Sequence, residues 1–422
     1  MQRLFAAKSR GGDILYLAIN IIGLLVFLLI GWLFSKDRKH IDWKAIIIMV
    51  VFNLLMAVFL TKVPVGREII KILADGFNGL VEVAYKGIAF CIPSMVNVKS
   101  MDFFVSALLP ILLIVPLFDI LTYIGFLPWV IKWTGKILSF ITRQPKFESF
   151  FAVEMMFLGN TEALAVSTLQ LKQMKAARNV TLAMMSMSCV TASILGSYMQ
   201  MMPAQYILTA VPINVINALI VSSMLNPVDV TKEEDTIATM NGTAAKESGD
   251  IESDGKKEPF FSFLGDSILG AGRLILIIAA NVITFVALAA LIDKLLASVH
   301  LWSMEKILGY IMYPFAWLMG MDPSSALKLG QYMGTKLITN EFVVMGNVSP
   351  IIHSFAPHFK AVLTVFLTSF ANLSTVGMII GCFKGIVSKE KNDVISKNVG
   401  YMLLSGILVS LLSAAMVGLF VW

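Results

Sequence analysis

Two short clusters carry most of the chemistry available to this chain: Gly159-Asn160-Thr161-Glu162 and Thr339-Asn340-Glu341-Phe342. Each sets a carboxylate beside an amide in apolar surroundings. An ionisable group at membrane depth is costly and persists where it lines a polar cavity or a substrate path. Carboxylates accept hydrogen bonds, whereas amides both donate and accept. Asn160, Thr161, Glu162, Asn340 and Glu341 together predict a site for a neutral, polar ligand bearing hydroxyls and ring nitrogens; two carboxylates argue against an anion. A third cluster, Asn372-Leu373-Ser374-Thr375, lies inside the apolar run Ala361–Phe383. Read beside the two Glu clusters, it lines the same cavity rather than only packing helices.

The elements that position these residues belong to a membrane. The chain has 422 residues, 57% hydrophobic and 14% charged, against about 25% charged in a soluble domain. The expected class is an all-α polytopic membrane protein. The net charge of +6 sits in short loops between apolar runs, as the positive-inside rule requires, so no nucleic-acid partner is expected. Cys91, Cys189 and Cys382 offer neither a disulfide framework nor a metal spacing, and His353 and His358 share a loop without helical ligand spacing. Neither a metal nor a cofactor is expected.

About 20 apolar residues cross the hydrocarbon core. The runs Ile14–Ser35, Ala45–Thr61, Phe104–Ile124, Val180–Met201, Ala204–Leu225, Ser267–Ile292, Ala361–Phe383 and Val399–Val421 meet that length, and Ile307–Met321 reads as a partial span. Glu68–Pro93 reads as amphipathic interfacial helix. Lys146–Leu171 and Ser324–Met345 are helix-like, each interrupted by a polar cluster, which suits re-entrant hairpins whose tips meet near the midplane. The division expected is a tail (1–13), N-terminal spans with an interfacial helix (14–102), a first half with its hairpin near 146–171 (103–225), an acidic linker (226–258) expected to be disordered and cytoplasmic, and a second half with its hairpin near 324–345 (259–422). Hairpin followed by span occurs in both halves, a weak internal repeat of the kind secondary transporters use. Asp119 reads as a structural hydrogen-bonding acid. Arg273 reads as a side chain snorkelling to the cytoplasmic surface, and Lys336 as a group that either neutralises a carboxylate or holds backbone carbonyls.

Three motifs carry a family resemblance. Gly159-Asn160-Thr161-Glu162-Ala163 resembles the Gly-Gln-Thr-Glu-Ala motif of concentrative nucleoside transporters. Gly334-Thr335-Lys336-Leu337-Ile338-Thr339-Asn340-Glu341-Phe342-Val343 is similar to that family's Gly-x-Lys-x-x-x-Asn-Glu-Phe-Val, and Ser369-Phe370-Ala371-Asn372-Leu373-Ser374-Thr375 to its Gly-Phe-Ala-Asn-Leu-Ser-Ser. The similar layout runs from about Ile14 to Trp422, and the chain resembles Gram-positive bacterial members associated with purine nucleosides. The resemblance implies eight transmembrane helices, two re-entrant hairpins and interfacial helices, with an inverted-repeat transport domain moving elevator-like on a homotrimer scaffold. It implies that Asn160, Thr161 and Glu162 face the nucleobase, that Glu341, Asn372 and Thr375 hold the ribose, that Phe370 packs nearby, and that Ile194 lines the base pocket. It also implies residence in the bacterial cytoplasmic membrane, with lipid and nucleoside as partners.

Four departures from the family pattern bear on specificity and coupling. Asn160 stands where Gln is usual and is one methylene shorter, which is compatible with a larger purine base; Thr375 replaces Ser and keeps the hydroxyl. Met155 stands where sodium-coupled members have Asn, and Cys189 where they have Ser. A hard cation wants oxygen ligands, so the coupling ion expected is the proton, with Glu162 and Glu341 as carriers. Three alternatives stay open: pyrimidine or modified nucleosides with sodium coupling, a channel, and a membrane-embedded hydrolase using Glu162 and Glu341 as acid and base. No His-Glu-x-x-His or nucleophile elbow supports the hydrolase.

Overall fold

Long helices form along the apolar runs, through Pro116 and Pro212 alike, and polar breaks stop helices at the places that matter for function. In the computed structural model, residues 2–98, 101–231, 233–235, 258–299 and 301–422 are described, without the side chains of residues 2–13 and Thr161. The expected linker lies largely outside them, apart from its two ends.

The first half begins with α1 (Gln2–Leu33), α2 (Trp43–Thr61), α3 (Pro64–Cys91) and the single turn α4 (Pro93–Val96). Asp42 starts α2 by accepting from Ala45 N at 3.1 Å, a normal N-cap. In α3, Gly66, Ile70, Val81, Ala84 and Ile88 are buried along one stripe, as expected of an amphipathic helix. A π-turn (Phe104–Leu108) leads past Pro110 into α5 (Ile111–Tyr123), followed by α6 (Phe126–Thr142). The chain continues with α7 (Lys146–Phe157), α8 (Asn160–Val166), α9 (Thr168–Gln173), α10 (Ala176–Ser186), α11 (Ala192–Met199) and α12 (Ala204–Leu225). The second half has α13 (Phe260–Ser298), α14 (Met304–Leu318), α15 (Pro323–Ile338), α16 (Glu341–Val348), a 3-10 turn (Ser349–Ser354), α17 (Pro357–Leu367), α18 (Leu373–Ile386), α19 (Lys389–Ser396) and α20 (Val399–Gly418). The described residues contain helices and no strand.

Among the described residues, six helical stretches are long and apolar enough to cross a membrane: Ile14–Leu33, Trp43–Thr61, Phe104–Tyr123, Ala204–Leu225, Phe260–Ser298 and Val399–Gly418. Two runs read from sequence as single spans are corrected. Val180–Met201 is α10 and α11 separated by a break at 187–191, and Ala361–Phe383 is α17 and α18 separated by a break at 368–372. In each case the second helix starts at a polar residue: Thr191 accepts from Ser193 N and Asn372 from Thr375 N. Side chains that cap a new helix compete with continuation of the old one, and hydropathy averages across such a residue. Ile307–Met321 corresponds to α14, a 15-residue helix against which α15 packs. Their closeness depends on glycine: a Cβ on Gly330 would lie 2.7 Å from Gly309 O. Small residues permit such backbone approach inside membranes.

α12 and α20 form the centre, with 89% and 67% of their apolar windows buried. They pack on each other, and α20 packs on α17 while α12 packs on α2 and α7. α12 also serves the breaks: Asn214 Nδ2 donates to Thr368 O, a carbonyl at the α17–α18 break, and Asn217 Nδ2 donates to Ser413 Oγ at 2.9 Å. Irregular backbone at membrane depth is tolerated where protein groups satisfy it. The same element order therefore occurs twice: α6, α7, break, α8–α9, broken α10–α11; then α14, α15, break, α16 and 3-10 turn, broken α17–α18.

Candidate functional site

The breaks meet at one cavity of about 530 Å³, lined from the two helical repeats and from α5 and α13. Each break supplies a helix N-terminus: α8 starts at Gly159, α11 at Thr191, α16 at Asn340 and α18 at Asn372. Helix starts present unpaired backbone N–H groups and partial positive charge. The cavity thus combines donors from backbone with acceptors from side chains.

Gly159 makes the first break possible. Its φ of 93° and ψ of 179° lie in a region essentially reserved for glycine, and a Cβ there would meet Thr191 Cβ at 3.1 Å and Glu162 Oε2 at 3.2 Å. Asn160 follows, 4% exposed, with both its amide oxygen and nitrogen lacking a hydrogen-bond partner among the described residues. Buried polar atoms are nearly always satisfied, so an orphaned amide on a cavity wall marks a place for a ligand that donates and accepts. Glu162 is exposed toward the same cavity. The side chain of Thr161 lies outside the described residues.

The second break is more fully wired. Asn340 Oδ1 accepts from Val343 N at 3.0 Å, so this amide caps α16. Glu341, 3% exposed, accepts from Tyr198 Oη at 2.9 Å and from Asn372 Nδ2 at 3.1 Å. Asn372 Oδ1 in turn accepts from Thr375 N at 3.0 Å and from Thr375 Oγ1 at 3.1 Å. Tyr198, Glu341, Asn372 and Thr375 form one chain of hydrogen bonds that fixes the carboxylate. The Tyr198 ring packs edge-on against Phe342, 5.0 Å between centroids. Lys336, fully buried, donates to Phe366 O at 2.6 Å and to Ser369 Oγ at 2.5 Å; of its two readings, holding backbone is the one with direct contacts. It ties α15 to the α17–α18 break.

Of the residues expected from sequence, Asn160, Glu162, Ile194, Asn340, Glu341, Phe370, Asn372 and Thr375 all line this cavity. Sequence reasoning missed Tyr198, which sat unremarked in an apolar run, and Glu154, a buried acid of α7. Asp119 accepts from Ser267 Oγ, tying α5 to α13, and it also lines the cavity. Arg273 lies on α13, which starts at Phe260, and it lines the cavity.

The positions at issue for a cation are filled by sulfur. Met155, fully buried, accepts from Ser186 Oγ through its Sδ at 3.3 Å, and the Cys189 thiol donates to Met185 O at 3.5 Å. Among the described residues, no group of three or more His, Cys, Asp or Glu is placed to hold a metal.

Residues 22–95 match the family described as Na+ dependent nucleoside transporter N-terminus, and residues 206–418 its C-terminus. The chain is 46% identical over 97% of its length to the whole of the purine nucleoside transport protein NupG of Bacillus subtilis. It is 27% identical over 95% of its length, and 97% of the relative's, to the nucleoside permease NupC of Helicobacter pylori. Its fold matches that of CNTnw in an inward-facing, substrate-bound state with a TM-score of 0.86 at 22% identity, covering 96% of this chain and 98% of the other. A substituted CNTnw in an outward-facing state matches with the same TM-score of 0.86, identity and coverage. With its cavity built where its polar breaks meet, this chain belongs to the concentrative nucleoside transporter family and is a membrane transporter of nucleosides, not an enzyme.

Proposed function

We propose that the protein imports nucleosides, purine nucleosides preferentially, by proton-coupled symport across the bacterial cytoplasmic membrane. The observation that carries the reading is the pairing, in one cavity, of an orphaned amide at Asn160 with a carboxylate fixed at Glu341. Asn160, with Thr161 and Glu162, takes the nucleobase edge. Glu341, Asn372 and Thr375 take the ribose hydroxyls, Asn340 holds the tip of the second hairpin in place, and Phe370 and Ile194 pack against the bound nucleoside. A carboxylate suits a pair of vicinal hydroxyl donors, and a site built to bond hydroxyls rejects analogues lacking them far better than apolar fit does.

Two points support the finer reading. The relative at 46% identity is named for purine nucleosides, and the shorter Asn160 leaves room for the larger base. Proton coupling follows from sulfur at Met155 and Cys189, poor ligands for a hard cation, with Glu162 and Glu341 as proton carriers. The family description names sodium, which keeps sodium as the competing coupling ion. The segments 103–225 and 259–422 act as the two repeats, with α7–α9 and α15–α16 as re-entrant hairpins. The hairpin-bearing part moves elevator-like against the remaining helices, which join three protomers as a homotrimer.

Equilibrium binding to purified protein tests the cargo. Inosine and guanosine compete with radiolabelled inosine, uridine competes more weakly, and hypoxanthine, lacking ribose, competes least. Equal competition by hypoxanthine and inosine contradicts the ribose assignment, and stronger competition by uridine contradicts the purine assignment.

A further inference from the structure

The first hairpin segment contains a carboxyl that the site does not use. Among the described residues, three glutamates are buried: Glu148, Glu154 and Glu341. Glu148 is matched by the Arg178 guanidinium, with contacts of 2.7 and 2.8 Å. Glu341 has two donors, and the Lys336 ammonium lies close enough to act on it. Glu154 is 2% exposed and is met by one neutral donor, Ser167 Oγ, at 2.9 Å.

The elements against α7 supply no counter-ion. The titratable groups on them are Lys132 and Lys136 of α6, Glu162 of α8, Lys172 of α9, Arg178 of α10, Cys189 beyond it, Tyr198 of α11 and Tyr206 of α12. None of these hydrogen-bonds or ion-pairs with Glu154, whose one side-chain partner among the described residues is Ser167. Arg178 is engaged by Glu148 and Tyr198 by Glu341. An isolated carboxylate in such surroundings is costly unless water, a cation or a proton offsets its charge.

Position gives that proton a use. Glu154 lies on α7, one turn before Phe157 and Leu158, which line the cavity. Ser167 sits between α8 and α9 on the other arm. The Glu154–Ser167 contact joins the two arms behind the tip that carries Asn160 and Glu162. Met155, where sodium-coupled members have Asn, is the next residue.

We propose that Glu154 is a proton-binding site of the transport cycle, distinct from the substrate-contacting acids, taking a proton from the outer aqueous phase and releasing it to the cytoplasm. The inference rests on the proton-coupling reading above. An ionised Glu154 needs water or a cation, which it gains when the arms part at Ser167; a neutral Glu154 fits the closed, dry arrangement. Protonation is thereby tied to closure of the hairpin over the substrate.

The experiment reconstitutes the full chain in liposomes and measures protons moved per inosine, using a pH-sensitive dye and radiolabel together. Glu154→Gln, which keeps the shape and loses the proton site, moves one proton fewer per inosine than the wild type, while inosine counterflow exchange stays within about twofold. A wild type that moves protons and a Glu154→Gln variant that moves as many overturn this inference alone. A wild type that moves none overturns the proton-coupling reading and this inference with it. Should Glu154→Gln fail to fold, Ser167→Ala is the second variant. Losing the Ser167 hydroxyl changes the balance between the neutral, closed form and the ionised, parted form and moves the pH of half-maximal uptake by about one unit, and an unmoved profile overturns the inference.

Discussion

Tyr198→Phe removes a single hydroxyl and leaves the ring packing against Phe342, 5.0 Å between centroids. What it deletes is the 2.9 Å hydrogen bond to Glu341 Oε1, one of two side-chain donors that fix this carboxylate. A hydrogen bond to a charged acceptor contributes about 1.5–3 kcal/mol. A substrate hydroxyl or water recovers part of that, leaving a net loss of about 1.4 kcal/mol, or tenfold in affinity. Because Glu341 is assigned to the ribose, the loss depends on the ligand. Inosine binding weakens about tenfold, 3′-deoxyinosine binding changes little, and the preference between them shrinks by about the same factor. Calorimetric or scintillation-proximity binding to purified protein measures both. Unchanged inosine affinity, or an equal loss for both ligands, refutes the idea that Tyr198 acts by positioning Glu341 for a ribose hydroxyl.

Other substitutions test other links in the account. Asn160→Gln restores the residue usual in the family and fills one methylene of the base pocket, so the uridine-to-inosine uptake ratio rises by about tenfold; an unchanged ratio separates this position from base choice. Gly159→Ala puts a Cβ against Thr191 and Glu162 at a φ of 93°, with strain of about 1–3 kcal/mol, and initial-rate assays show uptake falling more than about tenfold. Arg178→Ala strands the buried Glu148 carboxylate and costs about 3–5 kcal/mol, read as a lower unfolding temperature that Glu148→Met together with Arg178→Met largely restores. Deleting residues 236–257 leaves inosine uptake within about twofold, because the described ties of the linker root lie before the deletion: Lys175 Nζ to Glu234 at 2.6 Å and Lys146 N to Asp235 at 2.7 Å. The Lys175 contact holds the Glu234 carboxyl below its ordinary range. With a depressed folded-state value, whatever stability this tie contributes is present above the unfolded value and fades only as pH falls through the lowered one; a truncated protein that loses uptake at neutral pH contradicts this placement.

The acidic clusters could be read from sequence because charge in an apolar chain is costly and therefore meaningful. The charge-free run Ala204–Leu225 was equally plain, and it is a continuous helix despite Pro212. The breaks at 187–191 and 368–372 were hidden, because Thr191 and Asn372 stop a helix by capping the next one rather than by lowering hydropathy. Tyr198 was invisible for a related reason: its hydroxyl matters only once α11 is set beside Glu341, 143 residues later in the chain. The cavity-lining place of Arg273 was also hidden, because it depends on α13 packing beside α5. Glu154 escaped notice beside the louder cluster that begins five residues on, and its lack of a cationic partner emerges only from packing.

Gradient-driven uptake tests the central claim most directly. Proteoliposomes holding the wild-type protein receive radiolabelled inosine under an imposed proton gradient, and separately under a sodium gradient. The account predicts concentrative inosine uptake with the proton gradient, none with sodium alone, and loss of uptake in Glu341→Gln. Concentrative uptake that follows sodium and ignores protons contradicts it, and overturns the meaning given to Met155 and Cys189.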